Sequence, residues 1–258
     1  MPEFDPGPAA ELLAAAWRDD TQMEALPAGV RPGTLHEGYD VQDLVAAKLG
    51  DRTVGWKLGV GSIDALKKTG LGHPLVGRVA ASRCFTPGAA VEVRTRAPVT
   101  IEFEIAFALA RDIPPGSVPS APITAVETIH ITCEVVRARY VDRRAVGWPS
   151  FVADDSGFRA LVVGPSISAS QAQGLAGSII VDVDRKEKVR GARGGDRTDP
   201  VASLASLLAH AEQRGITLRK GDIVSTGAAS VPFDLDRSAQ IVARAEGVEL
   251  GFSLVMRE

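Results

Sequence analysis

No apolar run in the 258-residue chain approaches the ~18–20 residues of a membrane span, so no transmembrane helix is expected. Cysteine is almost missing. Cys84 and Cys133 stand far apart in apolar surroundings and read as reduced thiols of a cytoplasmic protein, although a single bridge between them stays open. An excess of one charge is lacking too. With 29 basic and 32 acidic residues the net charge is −3, which gives no basic field for nucleic acid and no polybasic membrane anchor. The opening Met1-Pro-Glu-Phe-Asp5 is acidic and lacks the charged-then-apolar order of a signal peptide. No internal repeat or low-complexity tract stands out. What remains, 45% hydrophobic and 24% charged residues, is an ordinary globular composition in a chain long enough to bury a large core.

Within it, the stretch Thr100-Ile-Glu-Phe-Glu-Ile-Ala-Phe-Ala-Leu109 places Glu102 and Glu104 two residues apart in an apolar run. On a strand both project to one face, with Ile101, Phe103 and Ile105 on the other. Adjacent buried carboxylates repel and resist desolvation unless a cation sits between them, and a hard divalent ion is the usual one. The alternative is an exposed edge strand with both acids in water. Glu134, in the second apolar segment Ile129–Val136, adds a third carboxylate if a strand, a crossover and a second strand bring it alongside. Turns at Asp112–Gly116 and Pro119–Pro122, and a helix start near Pro122, separate the two segments. Three carboxylates completed by water or substrate suit Mg²⁺ or Mn²⁺.

The chain divides into a helical lobe over residues 1–75 and a β-rich domain over 76–258. Helices are expected at Ala9–Trp17, at His36–Leu49 with Gly50 as C-cap, at Ile63–Thr69 behind Ser62, and at Pro200–Arg214 between Asp199 and Gly215. A short strand, Thr53–Val60, crosses the lobe. Strand composition then marks Val76–Val79, Ala90–Arg94, Val99–Ala110, Glu134–Tyr140, Ala160–Val163, Ser178–Val183, Asp222–Ser225, Ile241–Ala245 and Val248–Val255, with Asp184–Lys188 as a hairpin tip. His130 is placed on a mostly apolar helical stretch, as a packed core histidine rather than a ligand.

Other residues leave their reading open. Lys57 sits on a short apolar strand before a glycine-rich turn, where it either serves a metal site or snorkels to the surface beside Trp56. Ser225-Thr-Gly-Ala-Ala-Ser230 offers hydroxyls and free N–H groups suited to a carboxylate, or is a plain connection. Arg193, in a glycine loop, reaches an anionic substrate or is simply exposed.

Five segments carry a family resemblance. Tyr39-Asp-Val-Gln42, Gly55-Trp-Lys-Leu-Gly59, the Glu102/Glu104 pair, Cys133-Glu-Val-Val136 and Lys220-Gly-Asp-Ile-Val-Ser-Thr-Gly227 occur in the order, and at roughly the spacing, of motifs of the fumarylacetoacetase superfamily. The chain resembles its 2-keto-4-pentenoate hydratase and 4-oxalocrotonate decarboxylase branch. That resemblance implies an α+β fold, a mixed and largely antiparallel β-roll with a small helical N-terminal lobe. It implies Mg²⁺ or Mn²⁺ on Glu102, Glu104 and Glu134, with Lys57 as an active-site residue. Thr226, with Ser225 beside it, would meet the substrate carboxylate. Asp154 aligns with the aspartate of the family's Ala-Asp-Asn stretch, although Asp154 or Asp155 can equally shape a turn. The expected substrate is a small 2-oxo acid or its 2-hydroxydienoate enol, with no nucleic acid or membrane partner, and the chain is expected to be a homo-oligomer. Hydration ranks first, decarboxylation second and C–C hydrolysis third; a different answer is a non-catalytic partner subunit with a degraded site.

Two departures bear on that ranking. Leu75 stands where family hydratases carry an aspartate thought to take part in proton movement, and the neighbouring His73 is the substitute acid/base candidate, or a turn residue before Pro74. The family's Asp-Trp segment is altered to Asp142-Arg-Arg-Ala-Val-Gly-Trp148.

Overall fold

Alanine-rich α1 (Gly7–Arg18) turns Ala9, Ala10, Leu13 and Trp17 inward. The computed structural model describes residues 3–168, 172, 175 and 177–257. Both ends of α2 (Leu35–Leu49) are set locally: Thr34 and Glu37 form a reciprocal capping box, and Gly50 closes the helix in the left-handed region at φ 65°. The short α3 (Ile63–Thr69) starts on Ser62, whose side chain accepts from the Ala65 N–H. An unexpected helix, α4 (Gly147–Ala153), packs against α2 where Gly38 has no side chain; a Cβ there would lie 2.5 Å from the Pro149 carbonyl oxygen. α5 (Pro200–Gln213) is capped by Asp199 as expected.

The strands, numbered along the chain, form two sheets among the described residues. The larger contains β1 (Thr53–Gly59), β2 (Leu75–Ala80), β3 (Cys84–Phe85), β5 (Val99–Leu109), β6 (Val126–Val136), β7 (Phe158–Ile167), β10 (Ile223–Ala228) and β11 (Phe233–Leu235). Its order is β2-β1-β10-β5-β6-β7-β3, with β11 added to β5. The second sheet runs β4-β13-β12-β8-β9, from β4 (Ala90–Arg94), β8 (Ile180–Val183), β9 (Lys186–Arg190), β12 (Ala239–Ala245) and β13 (Val248–Arg257). Only β1–β10, β3–β7 and β4–β13 pair in parallel among the described strands; the other pairings are antiparallel. This is the mixed, largely antiparallel architecture expected, with α1, α2 and α3 in the N-terminal part and α4 and α5 later in the chain. The sheets approach closely at Gly164 of β7, where a Cβ would stand 2.7 Å from Leu250 Cδ1 of β13.

Several expectations need correction. β5 and β6 are antiparallel neighbours in direct register, so no crossover separates Glu134 from Glu102 and Glu104. The strand expected at Glu134–Tyr140 begins earlier and ends at Val136. His130 therefore lies in a strand rather than a helix, with Nδ1 3.0 Å from the Gly164 carbonyl oxygen. A short apolar run does not separate strand from helix by periodicity. Finally, β1 precedes the boundary expected at residue 75, yet it pairs on both sides within the large sheet.

Candidate metal centre

Register builds the site. Glu102 of β5 lies directly across from Glu134 of β6, and Glu104 across from Thr132. Residues paired across an antiparallel ladder share a face, so all three carboxylates leave the sheet on one side. In β5, every residue except Glu102 is buried, because β10 and β6 flank it and both faces are covered. Glu104 and Glu134 are thus held deep while Glu102 reaches a cavity of about 360 Å³. One carboxylate oxygen from each of the three lies within 4.8 Å of the others.

Lys57 arrives from β1 and is 2% exposed. Its Nζ lies 3.0 Å from Glu134 Oε1 and donates to the Ser156 carbonyl at 3.0 Å. That carbonyl is aimed by an unusual turn after α4, in which Asp155, Ser156 and Gly157 have φ of 53°, 51° and 74°. The Asp155 carboxylate accepts from the Arg78 N–H at 2.7 Å and sits against Gly77, where a Cβ would be 2.9 Å from Asp155 Oδ1 and 3.0 Å from Lys57 Cε. Gly77 pairs with Lys57, and Leu75 with Gly59, so Leu75 lies on this same face of β2 and makes it apolar.

The electrostatics follow from burial. Desolvation first, then the Glu134 charge, pushes Glu102 up from the ordinary carboxylate range to about 7. Burial, Glu134 and Glu102 hold Glu104 well above its usual value despite bonds from the Ser225 hydroxyl at 2.6 Å and the Gly227 N–H at 2.8 Å to Oε2. Burial opposes the Lys57 ammonium, but Glu134, Glu102 and Asp155 outweigh it and raise Lys57 above its usual value. Burial also lifts Asp155 to about 7.

The donor set fits a divalent cation on two independent grounds. Glu104 Oε1 and Glu134 Oε2 are buried with no hydrogen-bond partner, an arrangement that costs free energy unless something cationic meets them. The converging atoms are all carboxylate oxygens, which suit Mg²⁺ or Mn²⁺ rather than a soft metal.

A pH dependence follows for the chelated protein. Between about 4.5 and 7 folded Glu102 keeps a proton that the unfolded chain has released, so stability falls as pH rises through that window. Asp155 acts in the same sense above its own unfolded value. The melting midpoint in chelator is expected to drop from about pH 5 to about pH 8, and added Mg²⁺, which binds the deprotonated acids, to raise it most at the alkaline end. A midpoint in chelator that climbs across the same range contradicts this account.

The remaining expected residues divide. Ser225 and Gly227 support Glu104 directly, and Ser225 Oγ also lies 2.7 Å from Thr132 Oγ1. The Thr226 hydroxyl is buried and donates to the Ile105 carbonyl at 2.7 Å. Asp154 does not line the cavity. Its two oxygens take the Arg139 N–H at 2.7 Å and Nε at 2.5 Å, and the Arg139 guanidinium stacks 3.6 Å from the centroid of Trp17, which ties the helical lobe to the sheet. His73 is exposed, borders a separate cavity with Tyr39, His210 and Arg214, and does not line the Lys57 cavity. Arg193 is exposed in its loop and does not line the Lys57 cavity. Arg143, Arg144, Trp148 and Phe151, not singled out as site residues in the sequence, form part of that cavity's wall. The one signal for them was the altered segment at 142–148.

The model of the fumarylacetoacetate hydrolase C-terminal family matches residues 63–253. A 4-oxalocrotonate decarboxylase of Pseudomonas sp. is 24% identical over 204 residues, covering 76% of this chain and 77% of its own. A 2-keto-4-pentenoate hydratase of Paraburkholderia phymatum is 28% identical over 235 residues, covering 87% and 86%. Among solved structures, the 4-oxalocrotonate decarboxylase from Pseudomonas putida G7 complexed with magnesium and adipate superposes with a TM-score of 0.83 at 20% identity, over 97% of each chain.

Proposed function

The chain belongs to the fumarylacetoacetate hydrolase C-terminal family, and from that premise we propose that it is a divalent-metal-dependent lyase acting on a 2-oxo acid or its 2-hydroxydienoate enol. The observation that carries this reading is the buried Glu102–Glu104–Glu134 cluster, with two unpartnered oxygens and an ion-paired Lys57 beside it.

Glu102, Glu104 and Glu134 would hold Mg²⁺ or Mn²⁺, which supplies Lewis-acid polarisation of the substrate's carboxylate and 2-oxo oxygens. Lys57, ion-paired with Glu134 beside the cluster, would deliver a proton to the enol carbon that becomes sp³ in the 2-oxo product. Ser156 and Glu134 fix the Lys57 rotamer at the required position. Val60, Val136, Trp148 and Phe151 give the cavity an apolar wall that limits water at the reacting carbons.

Hydration is the first reading. Decarboxylation is the second, favoured by Leu75, which leaves the site face of β2 without a carboxylate to handle water. The proposal includes a homo-oligomer in the cytoplasm, a location supported by the free thiols Cys84 and Cys133. Incubating the protein and Mg²⁺ with a panel of 2-oxo acids and 2-hydroxydienoates, with product analysis to separate hydration from CO₂ release, tests the reading. No metal-dependent product from any member refutes it.

A further inference from the structure

The turn between α4 and β7 follows a path that its own residues do not favour. Asp155, Ser156 and Gly157 all lie in the left-handed region, and only the last is a glycine. Two successive non-glycine residues keep such a path only where their surroundings over-determine it.

The surroundings do so carbonyl by carbonyl. The Phe158 N–H donates to Asp155, the Arg137 N–H to Gly157 at 2.7 Å, and Lys57 to Ser156 at 3.0 Å. One side chain bridges the two outer carbonyls. Arg139 Nη2 donates to the Asp154 carbonyl at 2.9 Å, and Nη1 to the Phe158 carbonyl at 2.7 Å. Its Nε and its backbone N–H meet the two oxygens of the Asp154 carboxylate. Arg139 is 1% exposed, Asp154 is fully buried, and the Trp17 ring of α1 covers the guanidinium. Every guanidinium nitrogen therefore bonds to one end or the other of the turn, a use of the planar fork that a lysine ammonium cannot copy.

Between those ends the Ser156 carbonyl meets Lys57. Among the described residues the ammonium has two anchors, this carbonyl and Glu134 Oε1, both at 3.0 Å. With Glu134 alone, a flexible four-carbon stem would let the ammonium swing about one carboxylate oxygen. The second anchor fixes its direction.

Resting on the lyase reading above, we propose that Arg139, paired with Asp154 and covered by Trp17, is a positioning residue for the reaction. It spans the turn at 155–157, fixes the Ser156 carbonyl, and through that carbonyl sets the direction of the Lys57 ammonium. Asp154 and α1 then serve the site by way of Arg139, without touching the cavity.

The competing role is packing alone, in which the buried pair only ties the helical lobe to the sheet. Kinetics of Asp154→Asn and Arg139→Lys, each alone and combined with Lys57→Met, separate the two. Asp154→Asn keeps the side-chain shape and an acceptor for Arg139, and it decides the matter should Arg139→Lys not fold. In the Mg²⁺-loaded protein each substitution is expected to lower kcat by about 10–100-fold, the scale of a reacting group misplaced by about 1 Å. KM and the Mg²⁺ requirement are expected to stay within about threefold, since no group at the metal or on the cavity wall is changed. In the Lys57→Met background, where no ammonium remains to be aimed, the same substitutions are expected to leave kcat within about twofold. An unchanged kcat in the single variants, a collapse of KM or of the Mg²⁺ requirement alongside kcat, or an equal fall of kcat in both backgrounds overturns the proposal. Failure of the lyase reading shows separately, as no metal-dependent product from the unaltered protein. The link is then read from melting in chelator: the midpoint drop caused by Asp154→Asn is expected to shrink in the Lys57→Met background, and an equal drop in both overturns it.

Discussion

Glu104→Gln is expected to lower turnover by roughly 10³-fold or more while leaving the chelated protein as stable as the unaltered chain, or firmer by about 1 kcal/mol. Glu104 Oε2 accepts from Ser225 and Gly227, so a glutamine carbonyl replaces it in place, and the new NH₂ group falls where Oε1 now lies without a partner. There it donates toward the neighbouring carboxylates instead of repelling them. The same change removes a ligand charge, and with it most of the stability that a cation confers by binding only the folded state. The expected signature is a crossover: in chelator the variant melts at or above the unaltered protein, and in excess Mg²⁺ the unaltered protein melts higher. Absence of any metal-dependent difference would return Glu102 and Glu104 to a purely structural role.

Lys57→Met works on the same cluster with the opposite sign. Turnover is expected to fall by roughly 10²–10⁴, the loss typical of a positioned proton-transfer group. Methionine keeps an unbranched stem of similar reach, but it leaves Glu134 and the Ser156 carbonyl without their cation. Breaking one side of a buried ion pair costs about 3–5 kcal/mol, so the chelated variant should melt well below the unaltered protein, and Mg²⁺ should recover part of the difference by taking over the neutralisation. Turnover at the unaltered rate would remove Lys57 from the chemistry. Equal stability in chelator would contradict the pairing itself. Paired melts of the Glu104 and Lys57 variants distinguish a carboxylate cluster in need of positive charge from a site tolerant of any polar substitution.

The legible part of the site was the part set by local rules. Two-residue periodicity alone places Glu102 and Glu104 on one face, whatever the strand pairs with. The C-terminal end of α2 and the N-terminal ends of α3 and α5 follow from Gly50, Ser62 and Asp199, because a cap is a contact between residues a few positions apart. Asp154 and Asp155 show where such rules stop. They are adjacent acids in one turn, and nothing local distinguishes them. Asp154 is consumed by Arg139, fifteen residues upstream, while Asp155 turns toward Lys57 because the chain takes a left-handed path at residues 155–157. His73 failed for a related reason: Leu75, two residues on, faces the site, but β2 starts only at Leu75 and leaves the imidazole outside the sheet.

By itself, then, the sequence determined a chain without membrane-spanning helices, rich in strands and carrying a same-face pair of acids in an apolar strand. Those properties depend on composition and on contacts between residues a few positions apart. Tertiary structure alone decided that β6 returns antiparallel with Glu134 opposite Glu102, that β1 lies parallel to β10 and carries Lys57 into the cluster, and that Arg143 and Arg144 come round to the same cavity. Strand partner, direction and register are chosen by the burial of whole faces against distant segments. A one-residue slip would send each of these side chains to the other side of the sheet, so the metal centre exists only once the sheet has closed.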